Sequence, residues 1–286
     1  MIHWLKLFRP HQYSKNLFIF LPLFFAIRIT EIKLLQNAFI GFLLFSLLAS
    51  AVYIYNDLKD IEEDKVHPKK CFRPLASGAI SKTQAILVMS LLILVSLGIA
   101  YYINKTLAGV LTSYLVLNIS YSSYFKHIAI LDIFIIATGF VLRLVVGSVT
   151  TTTELTMWII LMTFLLALFL GLAKRRDDVL LASEGLKIRK NIDGYNLEFV
   201  NAAMVIMASV VIVSYIFYTI SAEVQEKFQS KFLYLTVVFV ILGIMRYMQI
   251  TFVENKSGSP STILLKDRFL QISILAWIIL FVFIIY

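Results

Sequence analysis

The chain is short of the residues that build cross-linked and soluble proteins. Cys71 is its single cysteine, which excludes a disulfide framework within the chain and any cysteine cluster for zinc or iron–sulfur. Its four histidines, His3, His11, His67 and His127, are dispersed with no metal-ligand spacing. Charge is scarce: 15% of residues are charged, where a soluble domain carries about 25%. Acidic charge is the scarcer sign, with 17 Asp and Glu against 26 Lys and Arg. The N-terminus, M-I-H-W-L-K-L-F-R-P, lacks the design of a cleaved signal peptide, so the first apolar segment is expected to act as an uncleaved one.

What remains is apolar. Hydrophobic residues make up 60% of the 286, and runs of about 20 apolar residues, enough to cross a bilayer, recur along the chain. Nine spans are predicted, at 14–29, 34–56, 84–103, 106–125, 128–147, 156–175, 197–220, 231–250 and 268–285. The first is short and holds Pro22, which predicts a kink. The fold class is all-α, a polytopic membrane helical bundle, and residues 1–286 read as one integral-membrane domain. Segments 57–83, 174–196 and 251–267 are long and polar, and the first two follow spans two and six, a hint of two related halves.

Basic residues set the expected orientation. Lys6, Arg9 and Lys15, six more in 57–83, six in 174–196, and Lys126, Arg246, Lys256, Lys266 and Arg268 fall on one side. Only Arg28, Lys33, Lys105, Lys227 and Lys231 fall on the other, and Arg143 lies within a span. By the positive-inside rule the N-terminus and the polar segments are cytoplasmic. An odd number of spans then puts the C-terminus outside a plasma (inner) membrane.

The most informative stretch closes the second span: N-D-L-K-D-I-E-E-D, residues 56–64. On a continuous α-helix Asp57, Asp60 and Asp64, at i, i+3 and i+7, project from one face. Three such carboxylates repel unless a cation lies among them, and hard oxygens suit Mg²⁺, which bridges one or two carboxylates to a phosphate. Asn56 adds a neutral oxygen to this metal set. The plain alternative is a solvated acidic helix end paired with Lys59 and Lys65.

Cations follow at once. K-V-H-P-K-K-C-F-R-P-L-A-S-G runs from Lys65 to Gly78. Pro68 and Pro74 break helix and Gly78 permits a turn. Arg73 is the better phosphate candidate because of its planar fork; Lys69 and Lys70 serve equally well facing anionic lipid. A second cluster, L-A-K-R-R-D-D-V at 172–179, closes span six. Lys174 and Asp178 are spaced for an ordinary i, i+4 pair; alternatively Lys174 and Arg175 meet an anion while Asp178 orients one of them. Tyr121 and Lys126 close span four. Arg143, costly inside an apolar span, should face a polar cavity or an acidic partner, and Asp132 in the same span is similarly placed. Arg9, Gln12, Lys15 and Asn16 share a cytoplasmic face.

N-D-x-x-D-x-x-x-D after the second of nine spans resembles the UbiA superfamily of intramembrane prenyltransferases. R-P-x-Q-Y-x-K-N at 9–16, H-P-x-K-x-F-R-P-x-A-S-G at 67–78, K-H at 126–127, G-F-V-L-R ending at Arg143, K-R-x-x-D at 174–178 and D-R at 267–268 together resemble its decaprenyl-phosphate phosphoribosyltransferase branch. One departure is visible: that branch is expected to carry Glu where Asp178 stands. The resemblance implies a UbiA-like bundle that transfers 5-phosphoribosyl from phosphoribosyl diphosphate to a polyprenyl phosphate. It implies Asp57, Asp60 and Asp64 as the catalytic, Mg²⁺-binding set with Asn56. Lys15, Lys70, Arg73, Tyr121, Lys126, Arg143, Lys174, Arg175 and Asp178 are then substrate contacts. Two rivals stand beside it. One is a prenyltransferase of the same fold moving a prenyl group from a prenyl diphosphate to an aromatic or other acceptor; the aromatic ones usually carry a second aspartate-rich motif, where this chain has K-R-R-D-D. A transporter or lipid-handling protein would break its helices at mid-membrane, whereas the polar residues here collect at span ends.

Overall fold

Helix starts in this chain carry local signals. Ser81 and Gln84 form a reciprocal capping box, Asn104 accepts from the amides of Thr106 and Leu107, and Asn196 accepts from Phe199. The computed structural model describes residues 2–67, 70–183, 194–256 and 260–285, and every regular element among them is helical. Pro68 and Lys69, named above, lie outside the described residues, as do Lys187, Arg189 and Lys190 of the six cations in 174–196.

The helices are α1 (Ile2–Phe8), α2 (Leu21–Phe25), α3 (Ile32–Lys59), α4 (Ile61–Lys65), α5 (Lys82–Ile103), α6 (Lys105–Ser123) and α7 (Leu131–Thr151), then α8 (Met157–Ser183), α9 (Leu197–Ile220), α10 (Ala222–Phe228), α11 (Val237–Phe252), α12 (Pro260–Lys266) and α13 (Arg268–Ile285). Short 3₁₀ turns occupy Lys70–Phe72, Phe125–His127 and Phe232–Thr236, and a long one runs Pro10–Phe20.

They fall into two compact units. Unit 1 is Met1–Lys126 with Thr138–Thr156; unit 2 is His127–Ala137 with Met157–Tyr286, so α7 contributes to both. In unit 1, α3 is the central element, packed on α1, the Pro10–Phe20 segment, α5 and α6. Its apolar window is 61% buried, against 11% in α5, whose Leu87, Leu91 and Leu94 face outward. The core around α3 is Ile19, Leu44, Phe45, Leu48, Leu107, Leu111 and Val146. Gly147 makes the α7 contact possible, because a Cβ there would collide with the Ile19 carbonyl. In unit 2, α8 packs on α9, α9 on α11, and α11 on α13. Trp277 stacks on Phe281 and donates from Nε1 to the Tyr215 hydroxyl at 2.7 Å.

Seven helical stretches among the described residues are long and apolar enough to span: α3, α5, α7, α8, α9, Phe232–Phe252 and α13. The other two of the nine predicted spans differ in form. The first is the 3₁₀ segment followed by α2, with Pro22 at its start. The fourth is α6, a 19-residue helix carrying Thr112, Ser113, Asn118 and Ser120.

Candidate functional site

The acidic motif does not lie on one continuous helix. α3 ends at Lys59, Asp60 takes φ −97° and ψ 7°, and α4 restarts at Ile61. The break separates the three carboxylates that an unbroken helix would align. Asp57 and Asp64, both buried, turn toward each other, and the Arg73 Nη1 donates to Asp57 Oδ1 at 3.1 Å and to Asp64 Oδ2 at 2.6 Å. Arg9 also donates to Asp57 Oδ1, and its guanidinium lies 5.3 Å over the Tyr53 ring. Asp60 turns elsewhere: the Lys126 Nζ donates to it at 2.6 Å and the Asn56 amide at 3.2 Å. The motif is thus a pair plus one. The pair is reached by arginines from 48 residues before and 16 after Asp57.

Two carboxylate oxygens converging on one cationic nitrogen make a donor set that fits Mg²⁺, since that ion takes one or two carboxylates and completes its shell from phosphate and water. The fit rests on Asp57 and Asp64. Asp60 and Asn56, expected in the same set, bond to Lys126 and to each other instead. Among the described residues no group of three His, Cys, Asp or Glu side chains is close enough to hold a metal by itself.

The loop that brings Arg73 back is built as its residues suggest. Gly78 adopts φ 76°, open to glycine at no steric cost. The amides of Ser77 and Ile80 donate to the Arg73 and Pro74 carbonyls. Lys70 opens the turn with its amide 3.3 Å from His67 Nδ1. Tyr121 is half-buried near the end of α6, two residues before Ser123, whose hydroxyl meets Tyr55 at 2.9 Å.

Arg143 and Asp132 share α7 but not a partner. Arg143 is buried; its Nε donates to Asn16 Oδ1 at 2.8 Å and its Nη1 to the Gly139 carbonyl at 2.7 Å. Asp132, in unit 2, is enclosed in a network with the second cluster. The Arg175 Nε donates to Asp132 Oδ2 at 2.7 Å, its Nη1 donates to Asp178 Oδ2, and the Tyr195 hydroxyl donates to Asp132 Oδ1 at 2.6 Å. Tyr195 in turn accepts from the Ile130 amide at 2.7 Å. Burial first, and then the bond to Asp132, hold the Tyr195 phenol above its usual range, so it stays a neutral donor. Arg175 is 1% exposed and Asp132 0%. The expected anion contact Arg175 is therefore a sealed ion pair, and Asp178 is its second carboxylate. Lys174 alone of the three cations there is exposed. Its neighbour Arg176 bonds to Asn201, the Thr251 carbonyl and Asn255, tying α8 to α9 and the end of α11.

Sequence reasoning missed Tyr195 and the Asp132–Arg175 partnership, because the partners lie 43 and 63 residues from Asp132. Nothing local marks them. The one available signal was that a buried Asp and a buried Arg at neighbouring span ends each need a partner.

Residues 17–265 match the UbiA prenyltransferase family. The chain belongs to that family. Curated UbiA relatives match nearly end to end. A decaprenyl-phosphate phosphoribosyltransferase of Mycolicibacterium smegmatis is 31% identical over 285 residues, covering 96% of this chain and 89% of that protein. One of Mycobacterium tuberculosis is 30% identical over 278 residues, covering 96% and 91%. Among solved structures, a UbiA homolog from Archaeoglobus fulgidus bound to GPP and Mg²⁺ superposes with a TM-score of 0.73 at 22% identity, covering 99% of each chain. The fold is that of UbiA proteins, and with seven spanning stretches the chain is an integral membrane protein.

Proposed function

We propose that this UbiA family transferase moves 5-phosphoribosyl from phosphoribosyl diphosphate to a polyprenyl phosphate of decaprenyl type, releasing diphosphate. The observation that carries the reading is the likeness to relatives named decaprenyl-phosphate phosphoribosyltransferase, at about a third identity over nearly the whole of both chains. The geometry supports it against an aromatic prenyltransferase. Where a second aspartate-rich motif would stand, Asp178 is engaged by Arg175 in a buried network, leaving one acidic centre rather than two.

In this reading Asp57 and Asp64 hold Mg²⁺, with Asp60 and Asn56 close by and oriented through Lys126. When bound, the ion supplies neutralisation of the charge that develops on the departing diphosphate. Arg73 and Arg9, already at the carboxylate pair, bind diphosphate oxygens through charge-assisted hydrogen bonds. The bond from ribose carbon 1 to the diphosphate oxygen breaks and a bond to a lipid phosphate oxygen forms, through a centre of oxocarbenium character. The attacking phosphate is already anionic at neutral pH, so no side chain need remove a proton. This agrees with the dispersed histidines. Lys126, Lys70, Tyr121 and Lys174 are proposed as further substrate contacts. The basic residues support an orientation with the N-terminus and acidic motif in the cytoplasm, the C-terminus outside, in a plasma membrane. A reporter at residue 70 would then be cytoplasmic and one at 225 external.

The deciding experiment supplies purified protein in detergent with Mg²⁺, labelled phosphoribosyl diphosphate and polyprenyl phosphate, and in parallel a prenyl diphosphate with an aromatic acid. Label passing to the lipid phosphate supports the proposal. Prenyl transfer with phosphoribosyl diphosphate ignored overturns it in favour of the aromatic prenyltransferase.

A further inference from the structure

The Pro10–Phe20 segment winds as a 3₁₀ helix for 11 residues, longer than the few residues usual for that form. Three residues per turn put side chains at i and i+3 in line. One row is Tyr13, Asn16 and Ile19, and it faces α3: Tyr13 meets the Ser50 hydroxyl at 2.7 Å, Asn16 donates to Ser46 at 2.9 Å, and Ile19 enters the core. The next row is Gln12, Lys15 and Phe18. Phe18 sets its edge against Phe140 at 5.1 Å, and the Arg143 guanidinium lies over that same ring, also at 5.1 Å. Asn16 joins the rows by accepting from Arg143. The 3₁₀ winding thus brings the Lys15 row beside a buried arginine of α7.

Among the described residues neither cation has a counter-ion. Arg143 is 6% exposed, its two hydrogen bonds go to neutral oxygens, and rings of Phe45, Tyr114 and Phe140 surround it. Among the described residues no carboxylate pairs with it or with Lys15. The charges that Lys15 feels most are like charges, Arg143 and Arg9. Arg9, Arg73 and Lys126 are matched by Asp57, Asp64 and Asp60. Two positive charges are left over, at Lys15 and Arg143. A buried arginine without a carboxylate is costly, and a second cation set beside it raises that cost, unless an anion is due there. A phosphate monoester carries close to two negative charges at neutral pH and three acceptor oxygens.

We propose that Lys15 and Arg143 form a binding site for a phosphate monoester, with Asn16 holding the guanidinium in place. The proposal rests on the phosphoribosyl reading, in which two such groups exist, the lipid phosphate and the 5-phosphate of the donor. The acidic motif takes the diphosphate, and this pair takes a monoester.

The test reads ligand binding as thermal protection of the purified full chain in detergent, without turnover. The probes are farnesyl phosphate, ribose 5-phosphate, and diphosphate with Mg²⁺. At least one monoester should protect the wild-type protein, and Lys15→Gln and Arg143→Gln should weaken that protection tenfold or more while leaving the diphosphate titration within about twofold. Arg143→Lys should restore part of it, since a point charge replaces the fork. Loss with farnesyl phosphate assigns the site to the lipid acceptor; loss with ribose 5-phosphate assigns it to the donor. If Arg143→Gln does not fold, Lys15→Gln, at a half-buried position, decides alone. Protection by neither monoester, or protection unchanged in Lys15→Gln, overturns the proposal. Because turnover is not measured, Lys15-dependent protection in a protein that fails to transfer phosphoribosyl would sink the activity and leave this site standing.

Discussion

Two charged helix ends, one in each unit, use the same residue types to opposite purposes. At the end of α3, Asp57, Asp60 and Asp64 are held by arginines and a lysine whose side chains are 17–26% exposed, and the surroundings carry more positive than negative charge. At the end of α8, Arg175 is shut between Asp132 and Asp178 at 1% exposure, with Tyr195 filling the remaining acceptor. In the proposed reaction the first set exchanges its cations for Mg²⁺ and turns its arginines to an incoming diphosphate. The second has its charges matched and its hydrogen bonds made, and replacing Arg175 takes the shared cation from two buried carboxylates. Residue type does not separate the two. Access and leftover charge do.

The largest expected effect is at the first end. Asp57→Asn or Asp64→Asn removes one of two oxygens proposed to hold Mg²⁺, and transition-state electrostatics of this kind are worth about 10²–10³-fold in turnover. Diphosphate release should fall by that much while the protein inserts and purifies normally. Asp60→Asn, whose partner is Lys126, should cost less than either. Equal losses at all three positions would argue for a three-carboxylate metal set and against the pair seen here.

The second end should answer in stability. Arg175→Ala leaves Asp132 and Asp178 buried without their cation, a loss of about 3–5 kcal/mol, read as a drop in melting temperature in detergent. Tyr195→Phe removes one donor to Asp132 and should cost about 1–3 kcal/mol. Any folded Arg175 variant should bind donor and lipid phosphate with unchanged KM. A rise in KM of tenfold or more at unchanged melting would return Arg175 to the substrate.

Intermediate in size is Arg73. Arg73→Ala should weaken diphosphate binding by about 1.5–3 kcal/mol, roughly tenfold to a hundredfold, and Arg73→Lys should recover only part. Binding restored in full by Lys would mean that charge alone acts there and that the planar fork of the guanidinium adds nothing to diphosphate binding.

Composition and apolar run length made the membrane bundle legible, because a bilayer imposes one length on every span. They misjudged form where backbone geometry competes: the Pro22 segment winds as a 3₁₀ helix before its short α-turn, which periodicity cannot distinguish. The acidic motif was legible as chemistry but not as geometry. Spacing on an ideal helix aligned Asp57, Asp60 and Asp64, whereas the helix breaks at Asp60 and the partners that sort the carboxylates, Arg9, Arg73 and Lys126, come from three different segments. Arg143 was legible as anomalous, since an arginine inside an apolar run needs a reason. Arg175 was not, because its partner Asp132 is invisible to any local pattern.

The smallest expected effect falls on a third charged cluster, which lies between the two extremes. Asp267 caps α13 by accepting from the Leu270 amide at 2.8 Å and receives Arg246 Nη2 at 2.7 Å, and Glu254 meets the same arginine at 3.1 Å. The hydrogen bond from Arg246 holds the Asp267 carboxyl below its usual range, with the Leu270 amide adding to it. A depressed carboxyl contributes stability that is present above its unfolded pKa, about 3.9, and is lost as pH falls through its lower folded value. The pair is partly exposed, so solvent screens it, and Arg246→Gln should cost at most about 1 kcal/mol at neutral pH. In the wild type, melting temperature should hold down to about pH 4 and then fall as Asp267 takes its proton. In Arg246→Gln that fall should be smaller, because the carboxyl is then held less far below its usual range, by the Leu270 amide without Arg246, with turnover unchanged. Identical acid profiles in the two proteins would show that the pair contributes nothing measurable, which places this cluster with ordinary surface ion pairs and sets it apart from the sealed Arg175 network.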